Sequence, residues 1–388
     1  MTLLSHARRR TVGAVAAAAL ALTATLAPIG AATATPQPVG PTQAAANGRP
    51  VDVMSRNLYL GADLMPVIGA LAAAATNPNG VPVAASQTWA AVQATDPEER
   101  MAAIADEIAA ARPAVVGLQE VTTWVTYDAT FTPTVRYDFL QLLLDELADR
   151  GMVYHEVAGA TSTNFGSPPI PLVPTATEVA VEMSDRDVII RRDDVSVDNA
   201  HHGNFTNKLT FPLPTGPLPV DRGWGSVDVS TNHSEFRFVN SHLEAFGFTG
   251  VDAEELRVGQ VGELLAAQAA LDAEKPLPAV YVGDYNSDAP DAAAYSMLVD
   301  AVGSDAWSIT NPQDPGLTCC FDAAVTDPDN PLTSRIDLVV VEPGIQPIDA
   351  EVVGEEVTDM TESGLWPSDH AGVLARLVVA GQRGGPRG

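Results

Sequence analysis

The chain has 388 residues, of which 46% are hydrophobic and 18% are charged. This composition excludes an intrinsically disordered, collagen-like or small disulfide-stabilised protein, because there is enough apolar material for a packed core. The 49 Asp and Glu residues outnumber the 21 Lys and Arg residues and give a formal net charge of -28. A chain this acidic repels polyphosphate at long range, which counts against tight, sequence-independent binding of nucleic acid.

The first 34 residues have the pattern of a secretory signal peptide. Residues 8–10 are arginines, residues 11–29 form an Ala-rich apolar run, and residues 32–34 match an A-x-A cleavage site. The alternative is a membrane anchor, which the weak run and its small flanking residues disfavour. We therefore expect signal peptide 1–34, a flexible leader at 35–50, and a secreted protein that uses the general or the twin-arginine route.

Beyond the leader, short apolar segments alternate with amphipathic ones. Runs of Val, Ile, Leu or Phe bounded by Gly, Pro or charge predict strands at residues 51–56, 114–119, 187–191, 236–241, 279–283, 336–341 and 371–379. Helices are predicted at residues 96–111, 137–150 and 251–271, with an Ala-rich insertion at 64–95 that has room for another. Pro-rich loops are expected at residues 161–175, 211–219 and 310–331. The mixture predicts an α/β fold with packed sheets inside helical layers, and a disordered tail at 381–388.

Polar residues lie at the ends of six of these strands. They are Asn57, Glu120, His242, Asp284 with Asn286, Asp337, and Asp369 with His370. Each one alone is as simply explained as a turn residue or a satisfied buried polar group. Because polar ends of buried strands can converge on one cleft at the sheet edges, six such ends are hard to explain by packing.

The residue types agree on one chemistry. Carboxylate and carboxamide oxygens are hard ligands that suit Mg²⁺ or Mn²⁺ rather than zinc. A His beside an Asp is the arrangement of a general base, and a second His with an Asn can donate hydrogen bonds to charge on a phosphoryl group. The set predicts metal-assisted attack of water on a phosphoester.

The ordered motifs RNLYLG, LQE, NSHL, GDYNSD, SRID and SDH resemble the endonuclease/exonuclease/phosphatase superfamily. That superfamily includes pancreatic-type deoxyribonucleases, apurinic endonucleases, inositol-polyphosphate phosphatases and bacterial sphingomyelinases. Each motif is weak alone, but all of them occur in order between residue 51 and about residue 379, and the series is specific. The resemblance implies one domain over residues 51–380, folded as a four-layer sandwich of two packed mixed β-sheets flanked by helices.

The resemblance also implies roles for the matching residues. Glu120 would be the main metal ligand, with Asn57 beside it and Asp369 contributing. His370, paired with Asp337, would act as the base or stabilise charge on the phosphate.

Further roles follow from the remaining motifs. Asp284 would orient or deprotonate the attacking water, and Asn286 would hold the phosphoryl oxygens. Whether Asp284 or His370 takes the proton stays open. His242 stands where the apurinic branch has a Tyr and looks more like the deoxyribonuclease and sphingomyelinase branches.

Arg257 and Gln260 lie in the helix predicted at residues 251–271. They match residues that support the family's active site from behind. The acid that partners the first histidine in deoxyribonucleases has no clear match here. Glu182, Asp185 and Asp187 are the candidates, so a mechanism with two paired histidines stays open.

The loops expected at the rim of the site bear on the substrate. The segments NFGSPPIPLVP, FPLPTGPLP and DLMPVIGALAAAA are apolar, whereas a nuclease is expected to present basic side chains to the nucleic-acid backbone. Together with the acidic charge, they favour a small or lipid phosphodiester, cleaved in the manner of a sphingomyelinase or phospholipase C. A secreted endonuclease is the alternative, and a catalytically silent binding protein is a remote one. We expect a monomer without a stable protein partner.

Cys319 and Cys320 are the only cysteines of the chain and are adjacent. Neighbouring residues lie too close for an ordinary disulfide, so the pair is either a strained vicinal disulfide or two free thiols. Export to an oxidising environment favours the disulfide.

Overall fold

The computed structural model describes residues 49–231, 234–248 and 250–380. The predicted signal peptide, nearly all of the leader and the tail at 381–388 lie outside these residues. The first strand already includes Pro50, so the leader ends earlier than predicted.

Helices and strands alternate along the described chain. The strands are β1 Pro50–Asn57, β2 Val115–Gln119, β3 Thr123–Tyr127, β4 Pro133–Asp138, β5 Tyr154–Glu156, β6 Ser162–Gly166, β7 Ile170–Pro171, β8 Ala180–Arg192, β9 Ser196–Asn204, β10 Leu209–Leu213, β11 Gly216–Val220, β12 Gly223–Ser230, β13 Glu235–His242, β14 Ala279–Asp284, β15 Ser304–Asp305, β16 Asp337–Val341, β17 Ile345–Val353 and β18 Gly372–Val379. The helices are α1 Met65–Ala72, α2 Gly80–Ala94, α3 Pro97–Ala111, α4 Phe139–Asp149, α5 Ala253–Glu274, α6 Ala293–Val302 and α7 Ala306–Thr310.

These strands form two large mixed sheets. The first sheet has the order β17-β18-β1-β2-β8-β3-β4, with β5, β6 and β7 also paired to the long strand β8. The second has the order β15-β16-β14-β13-β12-β9, and β10 pairs with β11 as a separate hairpin. Parallel pairing occurs between β1 and β2 in the first sheet and between β13 and β14 in the second.

The alternation of side chains along the central strands explains why the sheets stack. Val53 of β1 and Val282 of β14 belong to the same buried cluster, which fills the space between the sheets. Their neighbours Met54 and Tyr281 point the opposite way, into the clusters on the outer faces. Strands that are apolar on both faces need cover on both sides, which is the condition for a layered α/β fold.

Helices cover the two outer faces. Helices α2, α3 and α4 pack on the first sheet, and α5 and α6 pack on the second. Helix α3 begins where the Asp96 side chain accepts a hydrogen bond from the Glu99 backbone over 3.2 Å, and α5 begins at a similar cap from Asp252. The predicted four-layer α/β sandwich of two mixed sheets flanked by helices is therefore confirmed.

Two of the expected Pro-rich loops are strands instead. Residues 161–175 contain β6 and β7, and residues 211–219 lie within the hairpin of β10 and β11. In the hairpin, Leu209, Phe211 and Val220 are buried while the prolines between them are exposed. Proline is tolerated where its missing N–H would face outward at an edge, so the proline content misled the prediction.

Two helix predictions also need adjustment. The helix predicted at 137–150 starts at Phe139, because the preceding residues form β4 and Asp138 caps the helix through the Gln141 backbone. The Ala-rich insertion at 64–95 holds two helices, α1 and α2. Within the described part of the chain, none of the helices combines the length and apolarity needed to cross a membrane.

Candidate active site

The second sheet brings three polar strand ends to one edge. Strand β13 ends at His242, its parallel neighbour β14 ends at Asp284, and the antiparallel strand β16 begins at Asp337. The strand register pairs His242 with Asp284 and Asp284 with Asp337, so the three side chains lie next to one another. All three are buried, which concentrates one imidazole and two carboxylates in a small volume.

The first sheet supplies the facing residues. Strand β1 ends at Asn57, the parallel strand β2 is followed directly by Glu120, and Asp369 and His370 come just before β18. Nδ2 of Asn57 donates a hydrogen bond to Oδ2 of Asp284 over 3.1 Å, which links the two sheets at the site. The strand ends that the sequence singled out thus meet where the open edges of both sheets face each other.

His370 is held by a carboxylate on one side and faces another on the other side. Its Nδ1 donates to Oδ2 of Asp337 over 2.8 Å, and its Nε2 lies 3.9 Å from Oδ2 of Asp284. Burial alone would lower the pKa of His370, but the charges of Asp337 and Asp284 outweigh it and raise the pKa well above its usual value. Both carboxylates therefore favour a proton on this ring.

His242 is held in the same way, which answers the question of its partner. Its Nδ1 lies 3.3 Å from Oδ1 of Asp187 on β8, and its Nε2 lies 3.4 Å from Oδ2 of Asp284. Burial and the nearby Arg222 lower the pKa of His242, and the carboxylates of Asp187 and Asp284 raise it overall. Of the three acids left open by the sequence, Asp187 is the one in contact, whereas Glu182 contacts Tyr127.

Comparison with known proteins agrees with this geometry. The model of the Endonuclease/Exonuclease/phosphatase family matches residues 90–370 of the chain. The chain belongs to this family. No curated protein gives a significant match.

Solved structures of family members share the fold at low identity. An endonuclease/exonuclease/phosphatase family protein from Bacteroides thetaiotaomicron is 20% identical, with a TM-score of 0.50 over 86% of this chain and 96% of that one. A family protein from Leptotrichia buccalis is 14% identical, with a TM-score of 0.51 over 84% of this chain and 99% of that one. Members of the family are metal-dependent phosphoester hydrolases, and this chain is one of them.

The residues around Glu120 fit a divalent metal ion. Glu120 and Asp369 line one cavity, and burial, together with the charges of Glu120 and Asp284, raises the pKa of Asp369 to about 7. A bound dication would relieve this repulsion, and the carboxamide oxygen of Asn57, a residue outside the cavity lining, would be a third hard ligand. When bound, such an ion polarises a phosphoryl oxygen and offsets the charge that develops on it.

The backbone holds these side chains in defined positions. Oε2 of Glu120 accepts a hydrogen bond from the Leu60 backbone over 2.8 Å, and Oδ1 of Asn57 accepts one from the Tyr59 backbone over 2.9 Å. Glu120 itself has a φ of 56°, in the left-handed region that costs a non-glycine residue free energy. The bend at the end of β2 turns its carboxylate toward the cavity.

Three predicted residues support the cluster through the segment after His242. The Asn286 backbone donates to Oδ1 of Asp284 over 2.9 Å, and its side-chain amide donates to the Leu243 carbonyl over 3.1 Å. Arg257 donates to the Glu244 carbonyl over 2.6 Å. Gln260 completes the set, because its Oε1 accepts from the Glu244 backbone over 2.8 Å. Asn286 is thus turned toward the protein, and an approaching phosphoryl group would meet only the remaining proton of its amide.

Two buried arginines at the site were missed by the sequence analysis. Arg222, just before β12, lines the cavity with Glu120, and its Nε has no hydrogen-bond partner among the described residues. Arg100 on α3 donates to the carbonyls of Leu58 and Pro367 over 2.8 and 3.1 Å. These hydrogen bonds hold together the segments that carry Asn57 and Asp369. In the sequence, Arg100 ends the helical run EER, a pattern typical of a solvent-exposed helix face.

We expect Asp187→Asn to lower kcat by about 10- to 100-fold, the usual effect of removing a carboxylate that orients a functional group. The isosteric amide keeps the shape but removes the charge that favours protonated His242. Steady-state kinetics with bis(p-nitrophenyl) phosphate would measure the effect. Asp193→Asn is the matched control, since Asp193 contacts the exposed His155 over 2.9 Å. Equal activity of the two variants would contradict the pairing as a functional one.

Proposed function

We propose that the protein is a secreted, Mg²⁺-dependent phosphodiesterase that acts on a small or lipid phosphodiester, as a sphingomyelinase or phospholipase C does. The observation that carries the proposal is a single cavity that the carboxylates of Glu120 and Asp369 line together with mostly apolar side chains, although Arg222 and two further acids also line it. Secretion rests on the predicted signal peptide, and Mg²⁺ rests on the all-oxygen ligand set.

The cavity at the site has a volume of about 230 Å³. Glu120 and Asp369 line it together with Leu64, Ile68 and Phe165. A second cavity of about 230 Å³ shares those three apolar residues and continues over side chains such as Trp124 and Met183. A phosphate at the carboxylate end would therefore leave a hydrocarbon substituent room to extend along an apolar surface.

Exposed apolar side chains lie at the mouth of the first cavity. Met65 and Phe246 are 39% and 47% exposed, and both line it. Phe248 is also exposed, and its ring stacks at 5.8 Å on that of Phe211, another lining residue. Apolar groups that gather around a polar site are typical of surfaces that contact lipid or an apolar partner.

The distribution of positive charge supports a substrate other than a nucleic-acid polymer. Both lysines of the chain are engaged in ion pairs, Lys208 with Asp221 over 2.5 Å and Lys275 with Glu235 over 2.6 Å. Three arginines at the site, Arg56, Arg100 and Arg222, are buried. A surface that binds a polyanionic backbone needs several exposed cations that can each contact a phosphate.

We assign the chemistry as follows. Glu120, Asn57 and Asp369 would hold the metal ion. Asp284 lies between the two imidazoles and orients and deprotonates the attacking water. His370 and His242, each backed by a carboxylate that favours the imidazolium, stabilise the charge on the phosphoryl oxygens.

This assignment gives the proton to Asp284 rather than to His370. An imidazolium has no free lone pair and cannot accept a proton, whereas an ionised carboxylate can. Asp337 contacts Nδ1 of His370 over 2.8 Å and Asp187 contacts Nδ1 of His242 over 3.3 Å. Nη1 of Arg222 also lies 3.1 and 3.2 Å from the two ring nitrogens of His242. Nε2 of each ring faces Oδ2 of Asp284. Asn286 fixes Asp284 through its backbone N–H.

We expect Ile68→Asp to reduce kcat/KM for a lipid phosphodiester by at least about tenfold, because a carboxylate in an apolar cavity disfavours hydrocarbon. Turnover of bis(p-nitrophenyl) phosphate, which has no acyl chain, should change much less. The ratio of the two rates is the measurement. Ile348→Asp, at a position 44% exposed on β17, is the control. A parallel loss on both substrates would contradict an acyl-binding role for the cavity.

A substrate panel tests the proposal as a whole. Purified mature protein with Mg²⁺ should hydrolyse bis(p-nitrophenyl) phosphate and should stop with EDTA. Under one condition, sphingomyelin and phosphatidylcholine in mixed micelles are compared with plasmid DNA and RNA, and we expect turnover of a lipid. Rapid, salt-sensitive nicking of the plasmid with inert lipids would identify a nuclease instead, and no turnover with any divalent cation would indicate a binding protein.

A further inference from the structure

The two cysteines lie against the imidazole of His370. Sγ of Cys319 is 3.7 Å and Sγ of Cys320 is 4.0 Å from Nε2 of that ring. These two sulfurs and the nitrogen all lie within 4.8 Å of one another. The family's hydrolytic chemistry needs oxygen ligands and imidazoles at this place, and nothing in it accounts for a pair of sulfurs.

The backbone fixes this arrangement. The Cys319 backbone forms isolated β-bridges to Ser334 and to His370. On either side of the cysteines, the Ala371 N–H donates to the Thr318 carbonyl over 2.8 Å and the Phe321 N–H donates to the Asp369 carbonyl over 2.8 Å. The backbone therefore holds both cysteines beside the ring.

The two sulfurs are joined in a disulfide bond in the structure. Cys319 is buried but Cys320 is exposed, so a small reductant can reach the bond. Two thiols reduce it by exchange: they lose two electrons and form their own disulfide, while the two cysteine sulfurs gain those electrons and end as thiols with two protons. The product is a pair of thiols beside a histidine.

Two thiolates and an imidazole form a ligand set of a different class from that of Glu120. Thiolate sulfur prefers thiophilic cations such as Zn²⁺, and Cys₂His sets with one open position are a known zinc arrangement. A tetrahedral zinc with Zn–S bonds of about 2.3 Å and a Zn–N bond of about 2.0 Å places S and N about 3.5 Å apart. The separations of 3.7 and 4.0 Å in the disulfide-bonded pair are close to that value, and on reduction the two sulfurs would have to move to about 3.8 Å apart to share one ion.

We propose that the reduced Cys319–Cys320 pair and Nε2 of His370 form a second metal site, which binds thiophilic cations and blocks the reaction while it is filled. Binding releases the two thiol protons and the Nε2 proton of the His370 imidazolium, and forms two metal–sulfur bonds and one metal–nitrogen bond. His370 is then no longer available to a phosphoryl oxygen. The blocking rests on the role proposed for His370 above, whereas the binding does not.

Co²⁺ is the probe for binding, because thiolate ligation gives it an intense charge-transfer absorption that an oxygen-ligand site lacks. The protein is first reduced with a phosphine, which takes up the oxygen of one water molecule and leaves both cysteines as thiols. The reductant is then removed without exposure to air, and the reduced protein is titrated with Co²⁺ in the presence of excess Mg²⁺. We expect one equivalent of Co²⁺ to produce the band in the reduced protein and Zn²⁺ to abolish it. The oxidised protein and Cys319→Ser/Cys320→Ser should give no band.

A reduced wild-type protein without the band, or a band of equal strength in the double-serine variant, would overturn the proposal. Inhibition is measured separately, as the rate with one equivalent of Zn²⁺ relative to the rate of the same sample without it. We expect a loss of at least tenfold in reduced wild type and little change in the oxidised protein and the double-serine variant. A band without inhibition would establish the metal site and contradict the function proposed for His370.

Discussion

His370→Gln lowers kcat on bis(p-nitrophenyl) phosphate by at least about a hundredfold at saturating Mg²⁺, the scale expected for a positioned acid, base or charge-stabilising donor. The neutral amide cannot carry the positive charge that Asp337 and Asp284 favour on the imidazole. Because the substitution leaves the metal ligands in place, we expect the Mg²⁺ concentration for half-maximal activity to stay near that of the wild type.

The control for this prediction is a histidine–aspartate pair outside the site. His155 contacts Asp193 over 2.9 Å at the surface, and His155→Gln should keep wild-type activity. Thermal unfolding of both variants separates a functional loss from a folding defect. A His370→Gln enzyme with wild-type kcat would contradict the role that we give to this residue.

Glu120→Gln should also lower the rate by at least about a hundredfold, since one metal ligand loses its charge. Mn²⁺ binding followed by paramagnetic resonance should weaken in parallel, which distinguishes loss of the ion from loss of a proton donor. The metal-free variant should be at least as stable to heat as metal-free wild type, because Glu120 repels Asp369 there.

Glu274→Gln, at an exposed position at the end of α5, is the matched control. It carries the same change of charge without contact with the cavity, and both its Mn²⁺ affinity and its rate should equal those of the wild type. Unchanged Mn²⁺ affinity in Glu120→Gln would show that the ion is held by other residues.

The α/β fold and the polar strand ends could be predicted from the sequence because both depend on local patterns. Strands such as β14 are runs of apolar residues, and Asp284 at its end is a carboxylate where a buried strand meets a turn. Six such ends in family order were enough to assign metal-dependent phosphoester chemistry. The Pro-rich segments were misread because proline content does not show whether an edge strand accepts it, as in β10 and β11.

The contacts between distant residues could not be predicted in the same way. Asp187 was one of three candidate partners for His242, and only the pairing of β8 within the first sheet decides that its carboxylate reaches the ring. Arg100 lies in a charged stretch of helix, and its burial depends on how α3 packs over the ends of β1 and the segment before β18. Contacts of this kind depend on how helices and sheets pack against one another, and the spacing of residues in the sequence carries little information about that packing.

The sequence by itself determined the α/β class and the carboxylates and histidines at the strand ends, because hydrophobic periodicity and strand-end polarity are written in neighbouring residues. The two-sheet architecture and the family followed from the resemblance of its ordered motifs. Only the tertiary structure decided that Asp284 lies between two carboxylate-backed imidazoles, that apolar walls adjoin Glu120, and that the sulfurs of Cys319 and Cys320 lie against His370. These are contacts between residues far apart in the chain, and they exist only when the two sheets pack face to face and close the site between their edges.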